Sequence, residues 1–317
     1  MQLNMSARII AEEAIRLGYK VEQYESKHLI KVTKGGEWVF FNGSRHSKQS
    51  SVGKTIADFK NLTRQILTKV NLPMAKGGMF FTKEEGLEFA RDVGWPLVYK
   101  PTDGRHGRGV VVGIDNEHAL TELIGEPTQR GYILEQVLQG KDFRVVVIGH
   151  KFFCATHREP AYVVGDGENT IEQLVEAENK NPERGDGHEA NLTKITIDSL
   201  GQAYLQEQGM TAETIASKGR KIYLRKTAGL STGGVGIDVT DEVGEENKRL
   251  FEKVARECDL SLVGIDVMAE TLVVPITSQQ KAGIIELNAS PGLRMHHHPF
   301  SGQVRNVAGK LLEYVFS

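Results

Sequence analysis

The sequence predicts a mixed protein, α+β or α/β, in which helices cover sheets, and three observations predict it. From residue 80 to residue 148, stretches with strand character alternate with stretches of helical spacing. The 34 glycines among 317 residues exceed the average share of roughly 7% and imply many tight turns or close backbone approaches. A chain of 317 residues is also long enough to bury a large core, as two domains or as one multi-lobed domain.

Taken in order, residues 6–17 have helical spacing, and "KVEQYE" and "HLIKVTKGGEWVFFNG" read as short strands, the latter turning at Gly35-Gly36. This predicts a small α/β unit over residues 1–50. "SRHSKQSSVGKT" is polar and serine-rich and reads as a connection. A helix is expected at 55–70, with Ile56, Phe59, Leu62, Ile66 and Leu67 on one stripe, and "NLPMAKGG" then breaks the chain. Next come a helix (83–93), the strand "PLVYKP", a glycine loop, the strand "GVVVGI", a helix (116–124) and the strands "YILEQVL" and "FRVVVIG". Residues 160–225 are more polar and broken, with helices near 170–179 and 198–208, and read as an insertion or lid. A helix (244–258), two strands carrying Asp266 and Glu286, and a terminal helix (304–315) complete the pattern.

Charge and cysteine content exclude several classes. Thirty-nine basic residues against 41 acidic ones create no global field for nucleic acid or an anionic membrane, and no basic stripe carries interleaved aromatics. The N-terminal stretch places Glu12 and Glu13 where a signal peptide needs apolar residues, and no run approaches the roughly 18 apolar residues of a membrane span. Cys154 and Cys258 stand far apart and match no metal spacing. A cytoplasmic protein is expected.

Four motifs bear on chemistry. In "IIELNASPGLRMHHHP", Glu286 and Asn288 project from one face of a strand, because side chains at i and i+2 do so. Asp266, inside the apolar run "LSLVGIDVMAE", adds a carboxylate that a buried strand tolerates only when paired or metal-bound. Three oxygen donors suit a hard cation such as Mg²⁺, while Glu286 and Asn288 alone suit equally a strand end serving the turn at "SPG". In "VYKPTDGRHGRGVVV", Gly104, Gly107 and Gly109 would let backbone amides approach a polyphosphate, with Arg105, His106 and Arg108 nearby; a plain turn is the alternative. Lys100, on the strand before that loop, is an awkward charge that a phosphate would satisfy. Glu135 and Asp142 suit the adenine edge and ribose of a nucleotide, or equally surface positions at a hinge. "SSVGKT" is not a mononucleotide phosphate loop, because position 48 is lysine where that motif requires glycine. In "RMHHHPF", a polar loop is weighed against a transition-metal or carboxylate site, and Arg294 matches a substrate carboxylate better than the histidines do.

The order "KNLTRQIL", "LVYKPTDGRHGRGV", "ILEQVLQGKDFRVVVIG", "HREPAYVVGDGENTIEQLV", "LRKTAGLSTGGVGIDVTDEV", "LVGIDVM" and "IIELNASPGLRMH" resembles the ATP-grasp ligases over nearly the whole chain. Within that family it is most similar to the ATP-grasp regions of cyanophycin synthetases and of bifunctional glutathione synthetases. The resemblance implies an α+β ATP-grasp fold, with one lobe at 51–138, a second at 139–317, and ATP between them. It implies a carboxylate–amine ligase that phosphorylates a carboxylate with ATP and lets an amine attack the acylphosphate. Lys60 and Lys100 would then hold the phosphates beneath the 103–109 loop. Glu135 and Val137 would meet adenine, Asp142 the ribose, and Asp266, Glu286 and Asn288 Mg²⁺, with Mn²⁺ as a substitute. Arg225 would contact the transferred phosphate, making it and Lys100 the catalytic cations, and Arg144, Arg158, Ser231, Thr232, Gly233, Gly234 and Arg294 would line the amino-acid or peptide substrate. For the proton lost by the amine, Asp238, Glu159 and His157 are not separated.

Cyanophycin synthetases carry a further N-terminal domain and a Mur-ligase-like domain that this sequence does not include, so the expected product is a small peptide or amide. Relatives that oligomerise make a homo-oligomer an expectation. The rival readings are a catalytically silent ATP-binding partner subunit and a small-molecule kinase.

Overall fold

The computed structural model describes residues 2–102, 109–124, 131–187 and 190–317. Helix α1 (Met5–Arg16) is capped by Asn4, whose side chain accepts from the Ala7 N–H. It lies on an antiparallel sheet of β1 (Lys20–Gln23), β2 (Leu29–Lys34), β3 (Glu37–Asn42) and β4 (Arg45–His46). Ile30, Val32, Val39 and Phe41 alternate inward and are fully buried. Gly35 and Gly36 both take positive φ, 54° and 92°, as a two-residue hairpin turn of matching twist requires.

Where one helix was expected at 55–70, there are two: α2 (Ser51–Asp58) and α3 (Lys60–Lys69). The Ser50 side chain caps the Gly53 N–H, so helix starts inside the segment read as a connection. Phe59, at φ −104° and ψ 96°, is extended and breaks the pair. That break spoils the predicted stripe: Phe59 is 60% and Leu62 38% exposed, whereas Ile56, Ile66 and Leu67 do pack inward and Arg64, which the stripe skipped, is buried.

Next come β5 (Gly77–Phe80), α4 (Lys83–Val93), β6 (Leu97–Pro101), β7 (Val111–Ile114), α5 (Glu117–Ile124) and β8 (Tyr132–Gln136). The strands form an antiparallel sheet in the order β5-β8-β6-β7. Leu97, Tyr99, Tyr132 and Leu134 pack beneath α4 and α5, so Lys100 and Glu135 occupy the opposite face. Strand β5 emerges from the segment read as a chain break, paired to β8 at Gly77, where only glycine clears the Leu134 carbonyl.

The chain continues through β9 (Lys141–Ile148), β10 (Lys151–Glu159), β11 (Tyr162–Val164), α6 (Ile171–Glu178), β12 (Arg184–Gly185), β13 (Leu192–Thr193), α7 (Ser199–Glu207) and β14 (Lys221–Tyr223). It ends with β15 (Val235–Asp238), α8 (Glu245–Glu257), β16 (Leu262–Ala269), β17 (Gly283–Asn288), α9 (Arg294–His297) and α10 (Val307–Val315). The segment from β11 to β14 has a small apolar cluster of its own, including Val163, Ile171, Leu205 and Ile222.

The largest sheet is antiparallel in the order β15-β10-β9-β16-β17. Phe143, Val145, Val147, Val263, Ile265 and Val267 bury one face against α2, α3 and α8. On the other face, Val146, Ile148, Cys154 and Leu262 pack with α1, α10 and the N-terminal sheet. Farther along that second face the strands carry charge instead. Antiparallel sheets with helices on their faces make the protein α+β. Among the described residues, no helix is long and apolar enough to cross a membrane.

Candidate active site

The charged end of the five-stranded sheet is set by register. Asp266 stands opposite Arg144 on one side and Glu286 on the other, Arg144 opposite Thr156, and Thr156 opposite Asp238. Directly paired residues share a face, so a row of polar side chains crosses all five strands. Two residues along, Arg158 is opposite Asp142 and adds a second charged pair to that face.

These groups bond to one another. Arg144 donates to both oxygens of Asp266, from Nη2 at 3.0 Å and from Nε. Arg158 Nη2 donates to Asp266 at 3.0 Å and to Asp142 at 2.6 Å. Burial raises the Asp266 carboxyl's pKa, but the two arginines outweigh it and leave the group below the usual carboxylate range. For Asp142 the balance is reversed: burial wins over Arg158 and the pKa is raised. Asn288, two positions beyond Glu286, has a buried side-chain nitrogen without a partner.

Helix α3 brings the sheets' charges together. Lys60, its first residue, lies 3.7 Å from Glu286. One turn later, Arg64 donates to the Ala75 carbonyl at 2.6 Å and to Glu135, which also accepts from Lys100. The buried charge of Lys100, for which the sequence suggested a phosphate, thus has a carboxylate partner, and Glu135 uses its side chain on two cations. The Val137 N–H donates to the Pro96 carbonyl at 3.3 Å, just beyond the end of β8. Gly109 has φ 76° before β7; Gly104, Arg105, His106 and Gly107 lie outside the described residues.

The expected substrate residues gather beyond β10. Arg225 pairs with Asp198 at 2.6 Å and leaves its buried Nε without a partner. Arg294 is buried and donates to the Ala190 carbonyl at 2.9 Å and Thr193 Oγ1 at 3.2 Å, and to no carboxylate among the described residues. Ser231 and Thr232 form a 3-10 turn closed by Gly233 at φ 94°; Gly233 and Gly234 are buried, and an added Cβ at Gly234 would meet the Glu159 carbonyl at 2.8 Å.

Of the three base candidates, Asp238 is held by Arg305 at 2.7 Å and Glu159 by Lys221 and Tyr223, both at 2.8 Å. Burial lowers the pKa of His157. The histidine run is not a loop: Arg294 to His297 form α9, His296 is fully enclosed with Nδ1 2.8 Å from Thr156 Oγ1, and only His298 is exposed. Among the described residues no cluster of three His, Cys, Asp or Glu is placed to hold a metal.

The Asp266, Glu286 and Asn288 set fits Mg²⁺ by chemistry, with two carboxylates and one amide offering oxygens on a single face. The orphaned end of the Asn288 amide agrees, because amide oxygen and nitrogen exchange by a flip and an oxygen there would lack any protein donor. Arg64 is a residue that sequence reasoning missed. Its only signal was an i, i+4 relation to Lys60.

Residues 59–184 match the family model described as the carbamoyl-phosphate synthase L chain, ATP binding domain. Cyanophycin synthetase of Geminocystis herdmanii is 38% identical over 275 residues, 85% of this chain and 31% of that protein. The glutathione biosynthesis bifunctional protein GshAB of Clostridium perfringens is 30% identical over 323 residues, 99% of this chain and 41% of that protein. The crystal structure of a bifunctional glutathione synthetase from Pasteurella multocida superposes with a TM-score of 0.79 at 26% identity, covering 99% of this chain and 43% of that one. The chain therefore spans between 31% and 41% of these two curated relatives. With its paired sheets, the charge cluster between them and these likenesses, the chain has the ATP-grasp fold and carries an ATP-binding domain of that kind over residues 59–184.

Proposed function

We propose that this chain is an ATP- and Mg²⁺-dependent carboxylate–amine ligase acting on an amino acid or small peptide. The carrying observation is the convergence of Asp266 and Glu286, paired across β16 and β17, with Lys60 3.7 Å from Glu286. In this reading residues 51–138 and 139–317 are the two lobes, and residues 160–225 an insertion on the second. Asp266, Glu286 and Asn288 hold Mg²⁺, which when bound neutralises phosphate charge. Lys60 and Lys100 exchange their carboxylate partners for phosphates, the 103–109 loop covers them, and the Val137 backbone and Asp142 meet the nucleoside.

Phosphoryl transfer to a carboxylate depends mainly on positioning and charge neutralisation, so cations do most of the work. Arg225 steadies the transferred group. Arg294, buried without a carboxylate partner among the described residues, suits the substrate's carboxylate, with Ser231 to Gly234 beside it. Arg144 and Arg158 keep Asp266 ionised and border the substrate. The names of the relatives, cyanophycin synthetase and glutathione biosynthesis protein, support amide-bond formation on amino acids or peptides. Buried, unpaired Cys154 and Cys258 suit the cytoplasm.

ADP release is to be measured with Mg²⁺ and ATP across pooled amino acids and short peptides. Release that requires both an acid and an amine supports the ligase. Release with the acid alone and a stable phosphorylated product identifies a kinase. Nucleotide binding without turnover in any pool points to a silent partner subunit.

A further inference from the structure

Arg64 has no role in the reading above, yet its surroundings are unusual. Its Nη1 is anchored at 2.6 Å to the Ala75 carbonyl and its Nη2 donates to Oε1 of Glu135, while Lys100 donates to Oε2. All three side chains are at most 9% exposed. Two positive charges thus share one negative charge where water screens them little. Neither Arg64 nor Lys100 meets a second carboxylate among the described residues. The adjacent positions on that face, Val98 and Ile133, are apolar and supply no further anion.

A buried excess charge is costly until a counter-charge arrives. Were Arg64 absent, Lys100 and Glu135 would form a self-satisfied neutral pair, with no net attraction for a guest anion. We propose that Arg64 is a positioning residue of the phosphate subsite: by occupying one oxygen of Glu135 it leaves Lys100 with a surplus positive charge that a polyphosphate neutralises. The identification of that anion as a nucleotide's phosphate chain rests on the function proposed above. Helix α3 supplies both devices, Lys60 toward Glu286 and Arg64 toward Glu135, from one face four residues apart.

The test is calorimetric titration of the full chain with Mg²⁺-ADP, adenosine and inorganic tripolyphosphate, in wild type, Arg64→Lys, Arg64→Met and the double variant Arg64→Met/Glu135→Gln. Arg64→Met is expected to weaken ADP and tripolyphosphate at least about tenfold, ~1.4 kcal/mol, and adenosine far less. Arg64→Lys keeps the charge and most of the affinity. The double variant regains the excess charge and recovers polyphosphate binding. Equal weakening of ADP and adenosine, or no recovery in the double variant, would mean that Arg64 merely braces α3 and overturns the proposal. Should Arg64→Met fail to fold, Glu135→Gln alone carries the test, since it enlarges the excess charge: tighter tripolyphosphate binding supports the proposal, and unchanged or weaker binding overturns it. Wild type that binds tripolyphosphate in an Arg64-dependent way but discriminates against ADP sinks the nucleotide reading while leaving the charge argument standing. ADP affinity indifferent to Arg64→Met does the reverse, and wild type that binds neither probe sinks both.

Discussion

His296 sits beside Thr156 and Cys154 with Nε2 unpartnered, and burial holds its pKa at about 3. Burial likewise holds His46 and His297 at about 4. Each lies below the ordinary value of 6.5, so between pH 6.5 and about 4 the unfolded chain takes up protons that the folded chain refuses. Stability therefore falls as pH falls through that window, by up to about 1.4 kcal/mol per pH unit for each histidine, and is flat in these groups above it. Urea unfolding of His296→Asn from pH 7 to pH 5 is expected to show a correspondingly shallower loss than wild type. An unchanged slope would mean that His296 titrates normally in the fold. Asp266 acts at lower pH and through its lowered pKa: its contribution is complete above the unfolded carboxylate value and is lost as pH falls through the folded one. Glu286 is only partly buried, so Glu286→Gln is expected to keep the fold while cutting ADP release on the order of 100-fold. Asp266→Asn strips a buried carboxylate from two arginines and is expected to cost about 3–5 kcal/mol of stability as well. Comparing denaturation midpoints with initial rates separates the two effects.

At the scale of elements, the site depends on how strands and a helix are cut. The extended Phe59 ends α2 and restarts the helix at Lys60, which places Lys60 and Arg64 toward the two sheets. In β16, Gly264 leaves room for its neighbours: a Cβ there would lie 2.7 Å from Pro291 Cβ and 3.1 Å from Arg144 Cδ. Gly264→Ala must therefore move the Pro291 turn or the arginine that holds Asp266. We expect an activity loss of at least about tenfold with a stability loss of about 1–3 kcal/mol, read from turnover and from thermal unfolding. Wild-type turnover in that variant would show that the Arg144–Asp266 geometry is not critical. A Cβ at Gly140 would meet the Ala269 carbonyl at 2.3 Å, so the link between β8 and β9 is likewise built for close backbone approach.

At the scale of the molecule, two apolar cores share one sheet. Val145 and Val147 face α8 and its neighbours, while Val146 and Ile148 of the same strand face α1, α10 and the N-terminal sheet. The N-terminal unit thus completes a face of the large sheet, and its unfolding should be coupled to the rest. Phe41→Ala, at a fully buried position, is expected to cost about 3–5 kcal/mol and to lower one cooperative transition. A separate early melting step, seen by circular dichroism against Trp38 fluorescence, would show that the unit unfolds alone.

The sequence by itself determined the alternation of helix and strand and the common face of Glu286 and Asn288, because these follow from periods of 3.6 and 2 within one segment. The ATP-grasp resemblance was also legible, in motifs spread along the chain. It did not show the break at Phe59 or strand β5, since both depend on partners distant in sequence rather than on local pattern. Nor could it show that Asp266 is shared by Arg144 and Arg158, or that Lys100 meets Glu135 and, through it, Arg64. Those pairings join residues 35 to 122 positions apart, and only strand register and the placement of α3 decide which charges meet once water is excluded.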